Sequence, residues 1–285
     1  MRTFEGLKVL SKLILRYQQL ITSLQNQRVK QLVALQQKSA ERRRTGLFVV
    51  EGSREIRHCL EAGFHVATVF YCPEIAERNI VENGAGEWAD VVSRAEEAIE
   101  VSSEVYEKIA YRGTTEGMIA EVHARQMSLE DLHLSDNPLV MVLESVEKPG
   151  NLGAILRSAD AAGIDAVIVC DPLTDLYNPN LIRSSVGAVF SVPCVAITSE
   201  ECISFLKAQG IKILTAQLQD SNLYYDTDMR RPTAIVMGTE STGLTNVWRR
   251  AADAHIRIPM LGRIDSLNVS VSAAILLFEA VRQRV

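Results

Sequence analysis

Three glycine-bearing stretches in the C-terminal half gather the residues that could do chemistry: "KPGNLGAILRSADAAG" (148–163), "MGTESTGL" (237–244) and "IPMLGRIDSLNVSVSAA" (258–274). In the first, Asn151 can cap a helix or hydrogen-bond a ligand, and Arg157 lies on the rim of an apolar helix face made by Leu152, Ile155, Leu156 and Ala159. In the second, Gly238 and Gly243 let the backbone turn sharply and approach a ligand, and Glu240 between them can accept a hydrogen bond or pair with Arg157. In the third, Ser266 reads as a helix N-cap. Asn268, Ser270 and Ser272 then fall in the first turns of an apolar helix, where polar groups need partners and a ligand would supply them. Each stretch has an ordinary reading on its own: a helix start with a solvated arginine, a carboxylate at a helix N-terminus, a cap. Three of them at successive strand ends of one sheet make a binding site the better reading.

The elements that would position these loops follow from the apolar pattern. "LVMVLES", "AVIVC", "CVAI", "IKILTA", "TAIVMG" and "HIRIP" are near-continuous apolar runs separated by helices expected at 152–162, about 179–188, from Ser199 to Gly210, near 244–251 and from Ser266 to Arg282. Such runs predict an α/β fold with a mostly parallel sheet covered by helices on both faces, whose ligands sit beyond the carboxyl ends of the strands. The first stretch has only G-x-x-G, which excludes the G-x-G-x-x-G dinucleotide pocket. Upstream, strands at "LFVVEG", "VATVFYC", "DVVSRA" and "GMIAEVHA" alternate with helices to describe a smaller α/β domain, 21–125. An amphipathic helix is expected from Leu7, Leu10, Ile14, Tyr17, Ile21 and Leu24, and another from Gln27 to Arg42. We therefore divide the chain into a helical extension (1–20), the small domain (21–125), a polar linker (126–137) and the parallel-sheet domain (138–285).

Bulk properties narrow the class. The chain has 285 residues, 47% hydrophobic and 23% charged, and no apolar run near the ~18 residues of a membrane span. The five cysteines show neither C-x-x-C pairs nor zinc-ligand spacing, so free thiols, no metal and a cytoplasmic location are expected. The net charge is −5, but residues 1–57 carry twelve Lys/Arg against four Glu, a local +8, with −13 in the remainder. Such asymmetry fits either a nucleic-acid-facing segment or a solvated helix face.

Taken together, "GNLGAILRSADAAG", "IVMGTESTGL" and "IPMLGRIDSLNVSVSAAILLFEA" resemble the three signature motifs of the SpoU/TrmH branch of the SPOUT superfamily, the knotted RNA methyltransferases. "RSSVGAVFSVP" resembles the rRNA-directed members, and the region of "GLFVVEGSREIRHCLEAG" is similar to their RNA-binding domain, itself like ribosomal protein L30e. The resemblance implies a trefoil knot, a homodimer through the C-terminal domain, and S-adenosyl-L-methionine held by the three loops. It assigns the adenosine part to Gly238, Ile258 and Leu267, with Gly243 in the same loop and Thr215 as a looser candidate. It also implies methylation of a ribose 2′-hydroxyl, with Arg157 central and Asn151, Glu240, Ser266 and Asn268 completing the constellation. RNA contact is expected from Arg42, Arg43, Arg44, Arg54 and Arg183. The large-subunit (23S) rRNA is the expected target. A tRNA ribose methyltransferase and a catalytically silent ribosome-assembly factor of the same fold are the rival readings. Glu147-Lys148 departs from the motif, which often has Asp before the proline.

Overall fold

In a computed structural model, residues 20–76, 87–111, 116–239 and 242–285 are described, and they form two compact units that divide between Arg125 and Gln126.

The first unit opens with helices α1 (Gln27–Gln37) and α2 (Ser39–Thr45), followed by β1 (Leu47–Glu51), α3 (Ser53–Glu61) and β2 (Val66–Tyr71). Next come α4 (Glu87–Arg94), β3 (Glu97–Glu100), α5 (Ser103–Ile109) and β4 (Met118–His123). The sheet order is β1-β4-β2-β3; β4 runs antiparallel to both β1 and β2, and β3 is parallel to β2. Val29, Leu32 and Leu35, one stripe of α1, pack with Phe70, Ile99, Tyr106 and Ile119 in the core.

Three sequence expectations need correction in this unit. The helical stripe does not run on to Leu24: Ile21 instead forms a parallel bridge with Val101, and Asn26 caps α1 by accepting from the Arg28 amide. The earlier part of that stripe lies outside the described residues. The expected helix from Gln27 to Arg42 is two helices, because Lys38 is extended (φ −120°, ψ 113°). "DVVSRA" is the end of helix α4, and the strand is the next segment, "EAIE". That strand is at the sheet's edge, with β2 as its one neighbour in the sheet and the Ile21 amide on its far side at Glu100, so its two glutamates hide it from a hydrophobicity pattern.

In the second unit, β5 (Leu139–Glu144), α6 (Pro149–Ala162), β6 (Ala166–Cys170), α7 (Pro179–Ser185), α8 (Ala188–Ser191) and β7 (Cys194–Ile197) come first. They are followed by α9 (Ser199–Ala208), β8 (Lys212–Ala216), β9 (Asn222–Leu223), β10 (Thr233–Met237), α10 (Asn246–Ala251), β11 (Ala254–Arg257) and α11 (Val269–Arg284). All seven strands are parallel, in the order β7-β6-β5-β10-β8-β11-β9. β5, β6 and β10 are buried along their whole length, the signature of a sheet covered on both faces. The chain reverses direction across the sheet between β5 and β10, which is where a ligand crevice opens in such folds. Ahead of β5, Leu129, Leu132 and Leu134 pack against this unit's core.

The expected helix at 179–188 breaks at Val186 and Gly187, both left-handed (φ 55° and 88°). At the far end, Arg284 anchors α11 by donating to the carbonyls of Asn137 and Pro138 before β5 and of Met229 and Arg231 before β10.

Candidate functional site

Because the strands are parallel, their carboxyl ends bring the three motif loops to one edge of the sheet. β5 ends at Glu144, which is 3% exposed. Its carboxylate accepts from the Thr245 amide (2.8 Å) and hydroxyl (2.7 Å). A buried carboxylate is tolerable only with such donors, and here it fastens the loop after β10 to the end of β5. Sequence reasoning missed Glu144, which lies inside an apolar run with no turn or cap signal of its own.

Helix α6 starts at Pro149, with proline in its first turn, rather than at residue 152. Asn151 is therefore inside the helix and does not cap it. Its side-chain oxygen accepts from Asn268 Nδ2 at 3.1 Å, joining the first motif to the third. Asn268, not Ser266, is the N-cap of α11, which begins at Val269 and not at Ser266: Asn268 Oδ1 accepts from the Ser270 amide (3.0 Å) and hydroxyl (2.6 Å). Ser266 is exposed and bonds to its neighbour Asp265 at 3.2 Å. Arg157, two turns into α6, is exposed and makes no ion pair with a described residue. One turn earlier on the same side of the helix, α6 and α7 meet closely at Gly153, where a Cβ would stand 1.9 Å from Ser184 Oγ and 2.6 Å from the Leu181 carbonyl. Glycine is obligatory there, and the contact fixes the face from which Arg157 projects.

The second loop is folded on itself. Gly243 (φ 67°) donates from its amide to Thr239 O at 3.1 Å, and the Thr239 and Thr242 hydroxyls lie 2.7 Å apart. A Cβ on Gly238 would stand 2.4 Å from the Gly243 carbonyl carbon and oxygen, so only glycine fits. Glu240 lies outside the described residues. Ile258 and Leu267 are half-buried, whereas Thr215 is fully buried with its hydroxyl 2.6 Å from His255 Nδ1. A cleft of about 510 Å³ opens beyond β8, β9 and β11, lined among others by Leu218, Leu223, Arg257, Ile258 and Met260. Ile258 lines it; Gly238, Gly243, Thr215 and Leu267 do not. Apolar side chains dominate the cleft, with Arg257, Arg263 and Asp265 at its wall, and the motif glycines Gly238 and Gly243 lie outside it.

The expected RNA-facing arginines separate. Arg42 is 5% exposed and donates to Leu35 O (2.5 Å) and Gln36 O (3.3 Å) at the end of α1. It braces the break at Lys38 and is corrected from an RNA contact to an internal tie. Arg44 is exposed but forks onto Glu41 (3.1 and 2.5 Å), which holds the Glu41 carboxyl below its ordinary value. Arg54 pairs with Glu55 at 3.0 Å, Arg43 is exposed, and Arg183 donates to Asn180 at 3.2 Å. Among the described residues no group of three or more His, Cys, Asp or Glu could hold a metal ion, and no helix is long and apolar enough to cross a membrane. All five cysteines are free; burial pushes the thiols of Cys59 and Cys194 up to about 12.

A family model described as the SpoU rRNA Methylase family matches residues 138–278, and one described as an MRM3-like substrate binding domain matches 26–120. The chain is 32% identical over 275 residues, 93% of its own length and 92% of the relative's, to a 23S rRNA (uridine(2479)-2′-O)-methyltransferase of Streptomyces viridochromogenes. The chain belongs to the SpoU rRNA methylase family. A crystal structure of an RNA 2′-O ribose methyltransferase superposes with a TM-score of 0.78 at 39% identity, covering 93% of this chain and 99% of that one. An AdoMet-bound rRNA methyltransferase of Sinorhizobium meliloti superposes with a TM-score of 0.83 at 32% identity, covering 94% and 98%. The fold of SpoU proteins thus covers both units of this member, with its parallel sheet flanked by helices.

Proposed function

We propose that this SpoU protein transfers a methyl group from S-adenosyl-L-methionine to a ribose 2′-hydroxyl of large-subunit rRNA. The observation that carries the reading is the Asn151–Asn268 bond, which joins the first motif to the third, together with the self-packed Gly238–Gly243 loop after β10 and the exposed Arg157 further along α6. Large-subunit rRNA is preferred over tRNA because a relative named for 23S rRNA matches across both units, including the substrate-binding domain. The assembly-factor reading is disfavoured because Arg157, Glu240 and Asn268 are all present.

S-adenosyl-L-methionine, when bound, supplies the electrophilic methyl carbon. Gly238, Gly243, Ile258 and Leu267 would hold it, largely through backbone groups, with Thr215 beneath as a strand residue. The protein's own work is alignment, which can lower such a barrier substantially. A guanidinium stays protonated at ordinary pH, so Arg157 orients the ribose hydroxyl and adjacent phosphate and stabilises the alkoxide charge as the hydroxyl proton passes to solvent water. Asn151 and Asn268, locked to each other, present amide groups to the ribose; Glu240 accepts a hydrogen bond from it, and Ser266 stands at the rim. Arg43 and Arg183 supply phosphate contacts, with Arg44 and Arg54 as secondary cations.

For the chain as a whole we propose the divisions 1–20, 21–125, 126–137 and 138–285, with the trefoil knot in the last. The strand order supports the knot: β10 enters between β5 and β8, β11 enters between β8 and β9, and α11 returns against α6. Val271 and Phe278, each 48% exposed and seven residues apart on one stripe of α11, support a homodimer through this domain. Sedimentation should then give twice the 31.5 kDa chain mass; a monomer at working concentrations would refute the dimer. The free thiols fit a cytoplasmic protein.

The test is transfer of tritiated methyl from S-adenosyl-L-methionine to size-fractionated cellular RNA from a strain lacking the protein. Label in large-subunit rRNA is expected, together with loss of transfer in Arg157→Ala at unchanged cofactor affinity. Label confined to tRNA, or to no RNA despite cofactor binding, would sink the reading.

A further inference from the structure

Exposed cations stand at both ends of the second unit's strands, Lys207 and Arg231 at the amino ends among them. The unit's two ion pairs among the described residues, Arg230–Asp228 (2.9 Å) and Arg282–Glu279 (2.8 Å), lie just before β10 and in the last turn of α11, both at the amino ends of the strands. At the carboxyl ends Arg157, Arg249 and Arg263 are exposed and have no ion pair with a described residue. A phosphate diester binds best where no carboxylate must first be displaced.

Among these, Arg249 has the most constrained setting. It sits on α10, a six-residue helix pinned at two points. Thr245, the N-cap residue, is held by Glu144 through its amide and hydroxyl (2.8 and 2.7 Å). Trp248, fully buried, donates from its indole nitrogen to Ser199 Oγ at 2.9 Å. With both anchors made, the helix is held against rolling, and the point from which the Arg249 side chain leaves it is set. The Arg249 guanidinium folds back over the second motif loop: its Nη2 is 4.0 Å from where a Cβ on Gly243 would be. Arg250, also exposed, stands about 100° further round the helix and does not come within 4 Å of a Cβ built on Gly243.

We propose that Arg249 is a positioning residue that binds a backbone phosphate of the RNA next to the methylated nucleotide, from the side of the site opposite α6. The inference rests on the ribose-methyltransferase reading above. A planar cationic fork that has no ion pair with a described residue and lies over a glycine turn matches a phosphate's two free oxygens bidentately. It would also bring the RNA strand against the loop that carries Glu240.

The experiment compares Arg249→Ala, Arg249→Lys and Arg250→Ala with the wild-type chain, measuring methyl transfer to rRNA over a salt series and S-adenosyl-L-methionine affinity by calorimetry. Arg249→Ala should raise KM for RNA about tenfold with kcat within about twofold, and reduce the slope of log affinity against log salt by about 0.7–0.9. Arg249→Lys should recover the slope but only part of KM, and Arg250→Ala should match the wild type. Equal effects of Arg249→Ala and Arg250→Ala would reduce the contact to general surface charge and overturn the proposal. So would loss of cofactor affinity in Arg249→Ala, which would assign the guanidinium to the cofactor's carboxylate. No methyl transfer by the wild-type chain would instead overturn the functional reading itself.

Discussion

The two units of this protein differ in where their arginines are tied up. In the first, Arg28 joins Glu97 and lies 3.8 Å from Glu121, Arg44 joins Glu41, Arg54 joins Glu55 and Arg94 joins Asp90. Arg42 is spent on carbonyls, and Arg125 lies over the Phe64 ring while bonding to Ala62 O. In the second unit, which is the more acidic by sequence, the arginines at the carboxyl ends of the strands carry no ion pair with a described residue. A count of basic residues points to residues 1–57, but there Arg42, Arg44 and Arg54 are tied up, whereas Arg157, Arg249 and Arg263 are exposed without an ion pair to a described residue. The lesson is that local pairing, not composition, decides which cations can meet a polyanion.

The contrast can be broken at several strengths. Largest is the active edge: Arg157→Ala should lower transfer by about 10²–10³-fold, as removal of a group that stabilises transition-state charge typically does. Initial-rate assays with cofactor affinity as control would read this; undiminished transfer would remove Arg157 from the mechanism.

Next is the buried carboxylate of the first unit. Glu121, 1% exposed on β4, is pushed up to about 7 by burial, against the opposing pull of Arg28. The folded chain keeps this proton up to about pH 7, while the unfolded chain releases it near the ordinary value of 4.5. Stability contributed by Glu121 is thus greatest below that value and is lost as pH rises from 4.5 through 7, by about 3 kcal/mol in all. Urea melts at pH 5 and 8 should show Glu121→Gln gaining on the wild type at the higher pH. A pH-independent difference would discard the assignment.

Smaller still are the arginines of the first unit. Arg42→Ala should destabilise this unit by about 1–3 kcal/mol, because it leaves buried carbonyls short of a donor. Arg44→Ala and Arg54→Ala, which break exposed pairs, should each change stability by less than about 0.5 kcal/mol. Chemical denaturation separates the two classes, and similar costs for Arg42 and Arg44 would erase the distinction.

Much of this molecule is legible along the chain. The strands of the second unit are runs of Val, Ile and Leu because both faces of their sheet are covered, and the motif loops are marked by glycine at turns. Legibility fails where the local signal belongs to another role. "DVVSRA" has β-branched residues yet lies in a helix that buries Val91. "EAIE" is a strand disguised by its edge position. Ser266 has the chemistry of a cap, but the amide of Asn268, two residues on, reaches the Ser270 N–H instead.

The sequence by itself determined the parallel α/β sheet, the three glycine loops and the residue types set in them, because periodicity and turn chemistry are local properties. Only the tertiary structure decided that Asn151 meets Asn268 across 117 positions, that Glu144 holds Thr245 across 101, and which arginines remain unpaired. Those facts depend on which strand is inserted beside which, and a side chain's partners are set by that neighbourhood rather than by its neighbours along the chain.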